Sequence, residues 1–340
     1  MLTQQQLQTW ESDGALVIGN AVESECITAI RRAFEARVET LVAGAQRLGI
    51  MSALAPNAGF DKKLTALVSA APHYYQHLDI SLPMLDDLAS EVPGWQQIFG
   101  DSWEKEAGFF TPDAVFNLIT HPNIVSIVRQ ILGEDVDISP VQHVRIKPPQ
   151  HLLSQAAVGD ANVARTLWHQ DEAVVTEDAK NVPILTVWIA VTDATVENGC
   201  MYAVRGSHHD SYSTADFGLM RHCPGRELAG EIYIPDEAIP QKDLIPLEAK
   251  AGSVVLLHRR TVHGAGANKS AGIRWSLDLR YQPAGTPSGR DCFPSFSLAD
   301  QSAGADAYRA QWRRARDAII AGEIPALFNK RWDKYAQVCA

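Results

Sequence analysis

The sequence predicts a mainly β fold surrounded by α-helices, and three observations carry that expectation. After about residue 135, short apolar runs recur between Gly, Pro, Asn and Asp: VDISPVQHVRIKP, ILTVWIAVTDA, GCMYAVRGSH, GSVVLLHRRTVHG and IRWSLDLRYQPAG. Short strands in close succession build a sandwich or a barrel. The region before them, about 1–134, reads as largely helical, and a last helix is expected over about 303–335. No repeat or low-complexity linker divides the 340 residues, so one domain is expected, with a β core at about 135–290 inside a helical shell.

Residues 3–12 and 23–46 carry helical patterning. In the second, Ile27, Ile30, Phe34, Val38 and Leu41 recur at helical spacing, with Ser24 placed to act as N-cap. Between them, GALVIGNAV suits a strand. Residues 50–110, interrupted by APHYYQHLDISLP and EVPGWQQIFG, read as short helices and loops. HPNIVSIVRQILG (121–133) is a further helix, closed by Gly133.

Apolar residues make up 46% of the chain and charged residues 21%, enough for a sizeable core. Thirty basic against 40 acidic residues give a net charge of −10. The most basic stretch, WRRARDAI (312–319), has the spacing of a solvated helix face. Nucleic acid and anionic membranes are therefore not expected partners. Cys26, Cys200, Cys223, Cys292 and Cys339 are scattered and form no CxxC, which suggests neither a disulfide framework nor a zinc knuckle and fits a reducing compartment. The chain opens without a signal-peptide pattern and has no run of about 18 apolar residues, so a soluble cytoplasmic protein is expected.

The chemistry begins at TLWHQDEAVV (166–175), where His169 and Asp171 sit two apart in an otherwise strand-like stretch. Alternate residues of a strand share a face. His169 and Asp171 therefore converge, while Gln170 points away. Well downstream, LLHRRTVHGAGANKSAGIRWSLDLRYQ supplies His258, His263 and Arg274. Two neutral imidazoles and one carboxylate on one side of a metal, with the other side open, are the ligand set of non-haem Fe(II) oxygenases. In RWSLDLRY, Arg274, Ser276, Asp278 and Arg280 share one face, which meets either solvent or a polar cavity, and Trp275, Leu277, Leu279 and Tyr281 share the other, against packed protein. A guanidinium fork beside a metal suits bidentate binding of a carboxylate.

Taken together, LTQQQLQTWESDGALVIGNAV, THPNIVSIVRQILGEDVDI, IKPP, WHQDEA, VWIAVTDATVENGCMYAVRGSH and GSVVLLHRRTVHGAGANKSAGIRWSL resemble the phytanoyl-CoA dioxygenase family of Fe(II)/2-oxoglutarate oxygenases. The resemblance implies a double-stranded β-helix, a jelly-roll, cupin-like core with helices outside. It implies His169, Asp171 and His263 as iron ligands, and Arg274 as the clamp for the far carboxylate of 2-oxoglutarate, with Ser276 beside it. Trp188, His143 and Lys105 match positions that contact the cosubstrate. It further implies Fe(II) as cofactor, 2-oxoglutarate and O2 as cosubstrates, and a small-molecule substrate that is oxidised, by default hydroxylated, with release of succinate and CO2. Related halogenases lack the carboxylate, so Asp171 disfavours halogenation.

The chain departs from the family's Pro-Gly-Ser-His at Arg205-Gly206-Ser207-His208. Arg205 is read as surface charge, and Arg280 as meeting either a substrate anion or Asp278. His258 is expected in the core, His208 and His209 in turns, and His121 at a helix start. His73, His77, His151 and His222 receive no role. Two rival readings are a metal-dependent hydrolase, which would not need Arg274 at this place, and a non-catalytic small-molecule binding protein, against which the retention of every ligand type argues. Substrate choice is assigned to residues 45–115 and to a long lid at 208–239, and Trp312, Phe328 and Trp332 are candidates for packing on a neighbouring copy.

Overall fold

Helix α1 (Gln4–Asp13) starts on a capping box: Thr3 Oγ1 accepts the Gln6 N–H, and Gln6 Oε1 accepts the Thr3 N–H. Gly14, at φ 68°, ends it and turns the chain into β1 (Ala15–Ile18). Helix α2 (Ser24–Arg47) buries Ile27, Ile30, Phe34, Val38 and Leu41 as their spacing predicts. Its N-cap position falls on Glu23, with no side-chain cap, so Ser24 is the first helical residue instead. In this computed structural model the described residues are 1–80, 94, 96–102, 110–158, 163–214, 218–224, 232–290, 293–299, 304–323, 332–335, 337 and 339.

Further helices are α3 (Phe60–Ala70), α4 (Asp113–Ile119), α5 (Pro122–Leu132), the single turn α6 (Gln155–Val158) and α7 (Gly304–Ile320). The terminal helix is shorter than the sequence predicts. Gly322, at φ 72°, lies just beyond its end, and Asp333–Tyr335 form a separate 3-10 turn.

Among the described residues, seven strands form one antiparallel sheet in the order β1, β10 (Val254–His258), β5 (Leu185–Ala190), β12 (Arg274–Pro283), β2 (Val136–Ile138) and β13 (Phe296–Ser297), with β3 (His143–Lys147) also paired to β12. A second sheet runs β4 (Thr166–His169), β11 (His263–Ala265), β6 (Met201–Val204) and β9 (Leu244–Leu247). β7 (Cys223–Pro224) and β8 (Ile232–Tyr233) make a small ribbon. A mainly β core with helices around it is thus what the chain forms.

The large sheet separates two environments. On its outer face Trp275, Leu277, Leu279 and Tyr281 join Val187, Ile189 and Leu256 in a core with Ile30, Phe34 and Val38 of α2. The Phe34 and Trp275 rings meet edge-on at 5.4 Å. On its inner face Trp188, Ala190, Val255 and Leu257 meet Met201, Ala203 and Leu247 of the second sheet. Arg274, Ser276 and Arg280 share that inner side and are buried, so the polar face of β12 looks into the molecule, not into solvent.

Two expectations are corrected here. Trp312 and Trp332 are fully buried within the chain and are not offered to a neighbour, while Phe328 lies outside the described residues. Cys223 and Cys339 form a disulfide, because the fold returns the C-terminal segment to β7, a pairing that spacing along the chain does not reveal. Cys26 and Cys200 are free, and Cys292 lies outside the described residues. No helix among the described residues is long and apolar enough to cross a membrane.

The Cys223–Cys339 bond closes a loop of 116 residues, which stabilises by about 2–4 kcal/mol through the restricted unfolded chain. Equilibrium denaturation of Cys339→Ser should show that loss, and dithiothreitol should bring the wild type down to the same level. Equal stability of oxidised wild type and variant would mean that the two thiols do not pair in solution.

Candidate active site

His169 closes β4 and His263 opens β11, and the ladder between these strands sets the two residues opposite each other. Their ring centroids are 4.3 Å apart. Gln170 keeps an extended backbone, φ −118° and ψ 131°, so strand alternation persists one residue past β4 and brings Asp171 to the same side as His169. Asp171 then starts the 3-10 turn Asp171–Val174. Its Oδ1 lies 3.8 Å from His169 Nε2 and its Oδ2 3.9 Å from His263 Nε2. Among the described residues this is the one group of three His, Cys, Asp or Glu with ligand atoms all within 4.8 Å of one another.

The imidazoles are set for coordination. His169 Nδ1 donates to the Leu167 carbonyl at 2.8 Å and His263 Nδ1 to the Thr261 carbonyl at 2.9 Å, because a carbonyl can only accept. The proton therefore sits on Nδ1 and leaves each Nε2 with its lone pair. Burial, with His263 close by, pushes His169 down to about 4, and burial lowers His263 as well, so both rings are neutral at neutral pH.

Asp171 is buried yet ionised. Burial alone would raise its pKa, but the Arg280 guanidinium, the two imidazoles and the Thr186 hydroxyl together hold it well below the usual carboxylate range. Arg280 Nη2 donates to Oδ1 at 2.6 Å and Thr186 Oγ1 to Oδ2 at 2.5 Å. Arg280, expected to meet a substrate anion or Asp278 of its own strand, thus meets the Asp171 carboxylate instead. Asp278 faces Arg145, at 3.8 Å.

Buried groups behind the HxD segment fix it. Gln170 Nε2 donates to the Arg260 carbonyl, and its Oε1 accepts the Met220 N–H. Its backbone N–H donates to His222 Nε2 at 3.0 Å, and the opposite nitrogen of that ring faces the Met220 carbonyl. The Trp332 ring packs against His222 at a tilt, centroids 4.7 Å apart, and its Nε1 donates to the Ala173 carbonyl. Glu172 is held by Arg259 and Arg260. Ser207 Oγ accepts the N–H of Val262, the residue before His263. Sequence reasoning gave His222 and Thr186 no role; Thr186 alternates with Trp188 in LTVWIAV, the one signal that places it on the inner face.

Arg274 is buried among β3, β5 and β12. Its Nη1 donates to Ser276 Oγ at 3.1 Å, while Nε and Nη2 have no hydrogen-bond partner among the described residues. Burial lowers it to about 10, still charged at neutral pH. Trp188 lies under it, with the guanidinium 5.9 Å from the ring. Asn268 donates to the carbonyls of Lys147 and Gly272 and accepts from Ser270, so the Asn and Ser of GANKSAGIR build the turn that delivers Arg274. His143 stands on the same sheet face, opposite Asp278, with Nδ1 3.0 Å from Asp79 Oδ2. Lys105 lies outside the described residues.

Arg205 is exposed, with Asp13 at 3.5 Å. His258 packs between Trp10 and His208 and accepts the Arg260 N–H, away from the three ligand-type residues. His121 starts α5 and meets Glu23. Within the expected lid at 208–239, residues 215–217 and 225–231 lie outside the described set; Ile234 N–H donates to the Trp168 carbonyl and ties the segment to β4. Parts of 45–115 also lie outside it.

The sequence profile of the phytanoyl-CoA dioxygenase family matches residues 10–276. The chain belongs to that family. Phytanoyl-CoA dioxygenase from Arabidopsis thaliana is 34% identical over 133 residues, 38% of this chain and 41% of the relative. Phytanoyl-CoA dioxygenase domain-containing protein 1 from Bos taurus is 29% identical over 187 residues, 50% of this chain and 58% of the relative. A probable alpha-ketoglutarate-dependent hypophosphite dioxygenase from Stutzerimonas stutzeri is 29% identical over 175 residues, 51% and 54% of the two chains. The chain spans about half the length of the curated relatives it matches. Among solved structures, the non-heme monooxygenase ThoJ shares the fold at a TM-score of 0.52 and 16% identity, over 93% of this chain and 97% of its own.

In this phytanoyl-CoA dioxygenase family member, His222→Phe keeps a ring against Trp332 but leaves the Gln170 N–H without its acceptor. An unsatisfied buried donor costs about 1–3 kcal/mol. The variant should lose about that much stability to denaturation and retain less iron at equal added Fe(II). Unchanged stability and iron content would remove His222 from the support of the site.

Proposed function

We propose that the protein is a non-haem Fe(II)- and 2-oxoglutarate-dependent dioxygenase that oxidises, by default hydroxylates, an unactivated C–H bond of a small-molecule metabolite. One observation carries this reading: a buried guanidinium, Arg274, has two donors without a partner among the described residues, on the inner face that also carries the partners of Asp171. A metal-dependent hydrolase has no use for such a carboxylate clamp. The carboxylate next to the ligand set, Glu172, is held in ion pairs and does not serve as a general base. A non-catalytic binding protein has no need of three converging metal donors.

The donor set fits iron. Nε2 of His169, Nε2 of His263 and a carboxylate oxygen of Asp171 would hold Fe(II) and leave room for a bidentate cosubstrate. Arg274, steadied by Ser276, would take the far carboxylate of 2-oxoglutarate in a charge-assisted pair, with Trp188 and His143 as pocket walls. When bound, iron and 2-oxoglutarate supply the oxidising chemistry: O2 is consumed, succinate and CO2 leave, and the substrate C–H bond is oxidised. The chain's contribution is to keep both imidazoles neutral, the carboxylate ionised and the cosubstrate in one orientation inside a buried polar pocket. Asp171 fills the position that a halide would need, which favours hydroxylation over halogenation.

The same reading takes residues 1–340 as one oxygenase domain whose two sheets form a double-stranded β-helix of jelly-roll, cupin-like type. The antiparallel ladders and the apolar layer shared by both sheets support it. The net charge of −10 favours a small molecule over nucleic acid as substrate.

Anaerobic protein loaded with Fe(II) should develop the weak visible absorption of an iron–2-oxoglutarate complex. Arg274→Ala should weaken 2-oxoglutarate binding by roughly 100-fold or more, the effect of removing one partner of a buried charge pair. Folded, iron-loaded wild type without that absorption would overturn the assignment.

A further inference from the structure

Asp171 is gripped from the sheet opposite the one that carries the histidines. His169 and His263 are ladder partners across β4 and β11 in the small sheet. Thr186 and Arg280 are ladder partners across β5 and β12 in the large sheet. Directly opposed residues project side by side from one sheet face. Here the two side chains reach the same carboxylate and take one oxygen each, Arg280 on Oδ1 and Thr186 on Oδ2.

Arg280 is itself immobilised. Its backbone N–H donates to Gln142 Oε1, and its carbonyl accepts from Gln142 Nε2 and from the Ser139 N–H. Its Nη1 reaches the Val141 carbonyl at 3.4 Å. Neutralising Asp171 needs only a cation nearby. Two donors from adjacent strands, one on each oxygen, do more: they fix the plane of the carboxylate and the direction of its remaining lone pairs.

We propose that Thr186 and Arg280 form a positioning cradle that orients the Asp171 carboxylate for metal binding, so that the metal site is complete only when the two sheets are correctly apposed. The inference rests on the iron reading above for the role of Asp171. It makes Arg280 a positioning residue in place of a substrate contact. Ligand carboxylates depend on such hydrogen-bonding partners, and their loss typically lowers metal affinity 10- to 100-fold.

Anaerobic titration with Co(II), whose visible d–d absorption reports the ligand arrangement, tests the cradle directly. Arg280→Gln should weaken Co(II) binding by about 10- to 100-fold and change the shape of the absorption. Arg280→Lys should recover part of the affinity, and Thr186→Val should weaken binding by about the lower end of that range. Folded variants with wild-type affinity and spectrum would overturn the proposal, and a lower melting temperature alone would reduce Arg280 to a structural ion pair. Should Arg280→Gln fail to fold, the nearly isosteric Thr186→Val decides: weaker Co(II) binding upholds the cradle and unchanged binding overturns it. Wild type that binds Co(II) but gives no spectral response to 2-oxoglutarate overturns the oxygenase reading, while the variants still decide the cradle. Wild type that binds no Co(II) overturns both.

Discussion

A carboxylate kept ionised at 1% exposure is the constraint around which the site is organised. Burying a charge is expensive unless it is paired and hydrogen-bonded, and removing one partner of a buried pair leaves the other stranded at a cost of about 3–5 kcal/mol. Asp171 meets that requirement with Arg280 and Thr186, which reach it from the large sheet and take one oxygen each. The demand then propagates outward. Arg280 needs its own acceptors and finds Asp171 and the Val141 carbonyl, while Gln142 secures its backbone on both sides.

The rest of the inner face follows the same logic. Lys147, buried beside Arg274 in the ladder, donates to the Ala164 carbonyl and to Thr166 Oγ1, which tethers the large sheet to the start of β4. Asp79 reaches in from outside the sheets. Burial would raise its pKa, but His143, Arg145 and the Val144 N–H bring it down to about 2. The result is a strip of fixed charges and dipoles with an apolar layer beside it, in which interactions are stronger than in water. Arg274 stands out within that strip because two of its donors have no partner among the described residues.

What was legible in the sequence is what repeats locally. Period-two alternation in RWSLDLRY separated the residues of β12 into an inner polar and an outer apolar set, and the buried face of α2 followed from its helical spacing. His169 and Asp171 share a side because Gln170 stays extended, even though Asp171 itself belongs to a 3-10 turn. What was not legible is contact made across the chain. His222 meets Gln170 over 52 residues, Arg280 meets Asp171 over 109, and Cys223 meets Cys339 over 116. No local pattern encodes those pairings, since they depend on how two sheets and a returning C-terminal segment are laid together. Arg280 illustrates the boundary: alternation gave its face, but not its partner.

Because side chains alternate with a period of two, the register of β12 decides fold and site at once. A slip by one residue would send Trp275, Leu277, Leu279 and Tyr281 inward and drive Arg274, Ser276, Asp278 and Arg280 into the apolar core under α2. That alternative is opposed from both edges of the strand. β3 pairs Trp275 with Ile146 and Leu277 with Val144, and β5 pairs Leu277 with Ile189 and Leu279 with Val187, apolar against apolar on the outer face. The same ladders set Arg274 beside Lys147, Asp278 beside Trp188, and Arg280 beside Thr186 on the inner face. One strand thus carries the proposed cosubstrate clamp near its start and the grip on the Asp171 carboxylate six residues on. The hydrophobic packing that holds β12 in register is therefore also what holds those two groups in fixed relation to each other.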